Sequence, residues 1–199
     1  MTRKTDRRLL LSHGLAVGVG LAGGWFASKG FWPGSSPSLL AAEESASPEN
    51  RLKELGLTLP SVTTPRATLV PAVRVGELLH VSGHLPPPID GKPQVGKVGK
   101  DFTLEQGQEA ARNIGLVILA VVRRELGSLD KVVRLVKTFG MVNCTPEFTQ
   151  QPQVINGFSD LMVQVFGEKS GKGARSAVGM ASLPAGAPVE VECIFQVRS

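Results

Sequence analysis

The chain has no tyrosine among its 199 residues, so no phenolic hydroxyl is available to any site in it. It has only two cysteines, Cys144 and Cys193, and three histidines. Two cysteines make no disulfide framework, and these residues at these spacings form no metal-binding motif. Both cysteines sit in apolar stretches that read as strands, where a buried free thiol is the ordinary outcome. A bridge between them would need Cα atoms within about 7 Å. There is no Gly-x-Ser-x-Gly elbow. The glycines between Gly91 and Gly99 lack the strand-loop-helix setting of a phosphate loop. A basic run is also absent. The formal net charge is +5, of which residues 1–46 carry +2 and the remainder a scattered +3. Such scatter reads as a solvated surface, with no aromatic-plus-basic face for nucleic acid. No cofactor, metal or nucleic-acid partner is expected. Hydrophobic residues make up 42% of the chain, enough for one domain with a real core plus extra sequence.

The extra sequence is at the start. Arg3, Lys4, Arg7 and Arg8 precede an apolar stretch over 9–27, interrupted only by Ser12 and His13. A basic segment before an apolar one is the pattern of an export signal. Arg7-Arg8 followed by Leu9-Leu10-Leu11 resembles a twin-arginine signal, which implies export to the periplasm or another extracytoplasmic space. Cleavage near Ala27 or Ala42 and retention as a membrane anchor through 9–27 both remain open. Residues 1–30 are therefore read as signal or anchor. Residues 31–50, with Gly34-Ser35-Ser36-Pro37-Ser38 and Pro48, read as a flexible linker, and 51–199 as the folded domain.

Within the domain, 51–57 reads as a short helical turn. The β-rich runs 68–75 and 78–82 are joined by Gly76-Glu77, a hairpin signal. Thr103 and Gln106 form a capping box for a helix whose apolar residues Ala110, Ile114, Val117, Ile118, Val121 and Val122 recur at helical spacing, with Gly127 after it. A valine-rich strand covers 132–142. Pro152 opens a second helix, with Gly167 at its end and a glycine loop over 169–173. Strands at 176–181 and 189–197 flank a turn and are expected to pair as a hairpin. Helices on one face of a sheet make an α+β sandwich. In the last strand Val189, Val191, Cys193, Phe195 and Val197 alternate with Glu190, Glu192, Ile194 and Gln196. The second set mixes carboxylates with isoleucine, as in a face that meets another subunit or lines a cavity.

Three blocks carry a family resemblance: Ala174-Arg175-Ser176-Ala177-Val178, Leu183-Pro184 with Val189-Glu190-Val191-Glu192, and Val81-Ser82-Gly83. Asn156, near the start of the second helix, is a fourth point of likeness. Taken in their order along the chain, over about residues 67–197, they resemble the Rid family of RidA-like enamine/imine deaminases, also labelled endoribonuclease L-PSP. The resemblance implies a chorismate-mutase-like α+β fold with a mixed sheet, two helices on one face, and a homotrimeric barrel with clefts between subunits. It also implies hydrolysis of reactive enamines and imines derived from amino acids to 2-keto acids and ammonia, without cofactor. The chain departs from RidA proper in its missing tyrosine, in Ala177 where a cysteine stands, and in His84 where glutamine is common. These departures mark an atypical branch.

A 2-imino acid needs an anchor for its carboxylate, an aimed water and a proton donor for nitrogen. Arg175 suits the first, because a guanidinium grips a carboxylate through two parallel hydrogen bonds. Its bland alternative is a surface arginine. Glu190, or Glu192 on the same face, suits water activation, since a carboxyl group on a partly enclosed face titrates closer to neutrality. A structural ion pair is the alternative. Ser82 offers a hydroxyl to carboxylate or water, and Asn156 an amide to a substrate polar group. Both types also serve strand ends and helix starts. His84 is a loop imidazole that titrates near neutral pH. In a hairpin of the last two strands, Arg175 and Glu190 lie about six residues apart, roughly 20 Å at 3.3 Å per residue. One substrate would then need residues from two chains. The other reading is a non-catalytic module that binds small carboxylates or assembles with partners.

Overall fold

Gly76, at φ 58°, turns the chain between strand β1 (Ala72–Val75) and strand β2 (Leu78–His84), which pair antiparallel as the turn chemistry predicts. The computed structural model describes residues 46–62 and 68–199. The Arg7-Arg8 pair, the apolar stretch 9–27 and the linker up to residue 45 lie outside the described residues. No helix among the described residues is long and apolar enough to cross a membrane.

Helix α1 (Pro48–Glu54) begins inside the stretch read as linker, three residues before the expected helical turn, and is a third helix beside the two expected on the sheet. Ser47 caps it, and Glu49 ties it down. The Glu49 carboxylate accepts from Arg123 Nε and Nη2 at 3.0 and 2.6 Å and from the Leu129 amide at 3.0 Å. Leu52 then enters the core, only 1% exposed. Helix α2 (Leu104–Leu126) starts on the expected capping box. Thr103 Oγ1 accepts from the Gln106 amide at 3.2 Å, and Gln106 Oε1 accepts from the Thr103 amide at 2.8 Å. It ends at Gly127 in the left-handed region.

Strand β3 (Val132–Asn143) leads to helix α3 (Gln151–Gly171). Gly167 breaks the helical dihedrals, yet the chain resumes a helical turn to Gly171, four residues beyond the expected stop. Gly157 lets α3 press on α2, since a Cβ there would strike the Gln108 carbonyl. Strand β4 (Ala174–Met180) and strand β5 (Val189–Val197) complete the sheet.

The expected β4–β5 hairpin is not formed. β4 pairs in parallel with β3, placing Arg175 beside Thr138, and β5 pairs antiparallel with the other side of β3, placing Cys193 beside Thr138. The sheet order is β1-β2-β5-β3-β4, a mixed sheet with β5 at its centre. The physical reason is twofold. A parallel pair needs a crossover, and α3 is that crossover. The 181–188 link then strides over the end of β3 instead of turning back. Asn143 holds it there, its amide donating to Pro188 O at 2.9 Å and its Nδ2 to Ala187 O at 3.2 Å. Lys97 Nζ adds bonds to Asn143 Oδ1 at 2.7 Å and Ala181 O at 2.9 Å.

The core lies between the helices and one face of the sheet. Val189, Val191 and Phe195 on β5 are fully buried beneath Ile114, Ile118, Phe158 and Met162. Each such side chain contributes about 1.5–3 kcal/mol by leaving water. The opposite face has no covering layer among the described residues.

Candidate functional site

The four residues read as a site fall into two groups. On the open face, Glu190 stands opposite Met141 and Glu192 opposite Phe139. The Glu190 carboxyl lies against Gly83, where any Cβ would collide with its Oε1. A side chain at 83 would push the Glu190 carboxyl aside, so the glycine leaves it room to lie beside Ser82 and His84. Burial raises the Glu190 pKa above the usual carboxylate value, and the Glu192 charge raises it further.

Ser82 Oγ donates to Val70 O at 2.6 Å, which leaves the hydroxyl only acceptor capacity. In this arrangement it suits a water or an N–H and not a carboxylate. His84 Nδ1 lies 2.7 Å from Ser82 O. A carbonyl only accepts, so Nδ1 carries the hydrogen and Nε2 is left as a free acceptor. Burial lowers the His84 pKa, with the Ser82 carbonyl opposing, so the ring favours its neutral form. Next to this group the open face hollows into a cavity of about 360 Å³, lined by His80, Ser82, Lys137, Phe139, Glu192 and Ile194 among others. Lys137 Nζ donates to Ser176 Oγ at 2.9 Å across the β3–β4 pair.

The second group sits on the helix side of the sheet edge. Arg175, exposed on β4, shares the face of buried Thr138. Its Nη1 donates to Asn156 Oδ1 at 2.9 Å and to Ser159 Oγ at 3.0 Å. Asn156 and Arg175 are therefore in direct contact, and the Asn156 amide oxygen is engaged by the guanidinium. Ser159 was missed by sequence reasoning. Its signal was the i, i+3 spacing from Asn156, which puts both side chains on one helix face. Ala177 lies two residues along the same strand, opposite Gly140.

The two groups do not meet within one chain. Arg175 and Glu190 are two strands and three residues apart, roughly 14 Å between Cα atoms at usual sheet spacings, and their side chains leave opposite faces. The cysteines offer no nucleophile here. Both are buried and free, burial pushes the Cys193 thiol far up, and Gln151 Nε2 approaches Cys144 Sγ at 3.6 Å. One group can thus hold an anion through a fixed cation. The other can hold and move a proton.

Comparison with known proteins gives a consistent picture. Residues 49–194 match a family model described as "YjgF/chorismate_mutase-like, putative endoribonuclease". Protein TCP17 of Trypanosoma cruzi is 43% identical over 148 residues, covering 74% of this chain and 92% of that one. The crystal structure of Atu1372 from Agrobacterium tumefaciens, a protein of unknown function, is 46% identical and superposes with a TM-score of 0.69 over 76% of this chain and 92% of that one. A Shewanella oneidensis protein described as a "putative endoribonuclease" is 27% identical, with a TM-score of 0.70 over 76% of this chain and all of that one.

Proposed function

The chain belongs to the YjgF/chorismate-mutase-like family, the Rid proteins, and we propose that it is a RidA-like hydrolytic deaminase of enamine and imine intermediates derived from amino acids. The observation that carries this reading is Glu190, a half-buried carboxyl of raised pKa seated over Gly83 beside Ser82 and His84. A carboxylate of that kind serves as a base toward water near neutral pH. Water adds to the C=N carbon as Glu190 takes its proton. Glu190 returns the proton to nitrogen to give a carbinolamine, and then passes the hydroxyl proton to nitrogen as the C–N bond breaks, releasing ammonia and leaving the C=O of a 2-keto acid. Arg175 holds the substrate carboxylate through this sequence. No step calls for a cofactor.

Because Arg175 and Glu190 leave opposite faces of one chain's sheet, the reading needs two chains. In the homotrimer we propose, the open face of one subunit meets the edge strand of the next, and each cleft takes Glu190 from one side and Arg175 from the other. Sedimentation should give a trimer, and a stable monomer would remove the site. Arg175→Ala and Glu190→Ala, each inactive alone, should recover partial activity when co-assembled.

The direct test is ammonia release from freshly generated imino acids of several side-chain sizes. Release above the solution rate, lost in Glu190→Gln, supports the reading. Saturable binding of small carboxylates with no release would favour a non-catalytic carboxylate-binding or assembly module. The separation of the two groups in one chain and the absence of tyrosine favour that second reading. The amino-terminal segment, in the same proposal, directs export. Replacing Arg7 and Arg8 by lysine should leave the protein in the cytoplasm, and unchanged export would exclude the twin-arginine route.

A further inference from the structure

A guanidinium is a planar fork of five N–H donors. In Arg175, two of the five are already committed, and both leave from Nη1: one to Asn156 Oδ1 at 2.9 Å, the other to Ser159 Oγ at 3.0 Å. Nη1 has two hydrogens, so that nitrogen is fully used. An end-on carboxylate needs one hydrogen from Nη1 and one from Nη2, and this edge is closed while the two bonds stand. The side-on edge, made by Nε–H and the adjacent Nη2–H, has no hydrogen-bond partner among the described residues. The side chain is exposed at that edge strand, so a ligand can reach it.

The two acceptors come from one rigid element. Asn156 and Ser159 are one helical turn apart on α3, whose buried residues Ile155, Phe158 and Leu161 anchor it in the core. A long arginine side chain ordinarily samples many rotamers, and ordering it on binding costs affinity. Two acceptors on one nitrogen fix both the position of the fork and the plane in which it lies.

We propose that Ser159 is a positioning residue: together with Asn156 it clamps Nη1 and presents the Nε–Nη2 edge of Arg175 to a substrate carboxylate. The nature of that ligand rests on the deaminase reading; the clamp rests on the geometry alone. The carboxylate docks side-on, in the guanidinium plane, with its C=N carbon held away from α3. Ser159 touches no substrate atom, and its effect passes through Arg175.

The full-length protein with Ser159→Ala, Ser159→Thr and Arg175→Lys provides the test. Nitrogen NMR of the Arg175 guanidinium should resolve its two Nη groups in the wild type, because the clamp slows rotation. Ser159→Ala should merge them, and Ser159→Thr should keep them apart. In the imine assay Ser159→Ala should raise KM about tenfold with kcat retained, as befits loss of a charge-assisted bond. Ser159→Thr should restore KM, and Ser159→Ala should add nothing in the Arg175→Lys background. Unchanged resonances and unchanged KM would overturn the proposal. So would an equal loss with and without Arg175. If the wild type releases no ammonia from imino acids, the deaminase reading fails on its own. Titration with 2-oxobutanoate then decides the clamp, with a shift of Arg175 Nε in the wild type, weakened in Ser159→Ala, supporting it and no shift overturning it.

Discussion

The two faces of the central strand β5 are made by alternate residues of the same nine, and they have opposite fates. Toward the helices, Val189, Val191, Cys193, Phe195 and Val197 are at most 3% exposed. Away from them, Glu190, Glu192, Ile194 and Gln196 are half-buried or exposed, beside Val73 and Val75 at 48% and 62% exposure. The chain completes the first face by itself, with α2 and α3 as the lid. It leaves the second as a mixture of carboxylates, a lysine, imidazole and bare aliphatic carbon. A finished face stores stability, and an unfinished one is available for assembly and chemistry. The same division separates the proposed site residues, with Arg175 on the helix side and Glu190 on the open side.

If that contrast is right, equal truncations on the two faces should have unequal effects. Phe195→Ala should cost about 3–5 kcal/mol in urea unfolding, since a fully buried ring that packs on Phe166 leaves a cavity. Ile194→Ala, one residue away, should cost much less in dilute protein, and its cost should grow with protein concentration if a second copy covers that face. Equal, concentration-independent losses would break the comparison. Next in size is Glu49→Ala. Its carboxylate satisfies Arg123 and the Leu129 amide together, and its loss should cost about 1–3 kcal/mol by the same measurement. A loss under a few tenths would mean that α1 is only draped on the domain.

Much of the helix side was legible in the sequence, because each signal there is local. The Thr103–Gln106 box, the Gly76 turn and the alternation along β5 each involve residues within a few positions of one another. The β4–β5 hairpin was misread because proximity in sequence is a poor guide once a strand is inserted between neighbours. The signal lay in the 181–188 link, too long for a tight turn, and in Asn143, a buried amide with four hydrogen-bonding sites to satisfy. The start of α1 was misread because Pro48 and Ser47 suit a linker as well as a helix start. Only Glu49, reaching a helix more than seventy residues away, distinguishes the two. Of the site, the family resemblance singled out Arg175 and Asn156 separately, and their contact came only with the fold. Ser159 carried only the i, i+3 spacing from Asn156, too weak a signal alone, since a serine in a helix has many duties and its partner is set by the β3–β4 register.

The smallest expected effect is also the one that tests the open face most directly. Burial, followed by the Glu192 charge, raises the folded-state pKa of Glu190 above the unfolded value. Well below the unfolded pKa the carboxyl is protonated in both states and costs nothing. As pH rises, the unfolded chain ionises first, so stability falls until pH passes the folded pKa and then stays at its lower level. Glutamine cannot ionise. Glu190→Gln should therefore match the wild type in thermal midpoint at about pH 3 and exceed it at about pH 8. Glu192→Gln should narrow that difference, by removing the second cause of the raised pKa. Activity should move the other way, with imine hydrolysis lost in Glu190→Gln while stability rises, the exchange expected where a strained group does the chemistry. Midpoints measured for the three proteins across that range decide it. A Glu190→Gln midpoint below the wild type at high pH would show that the carboxylate is held by a cation, and that the open face is finished after all.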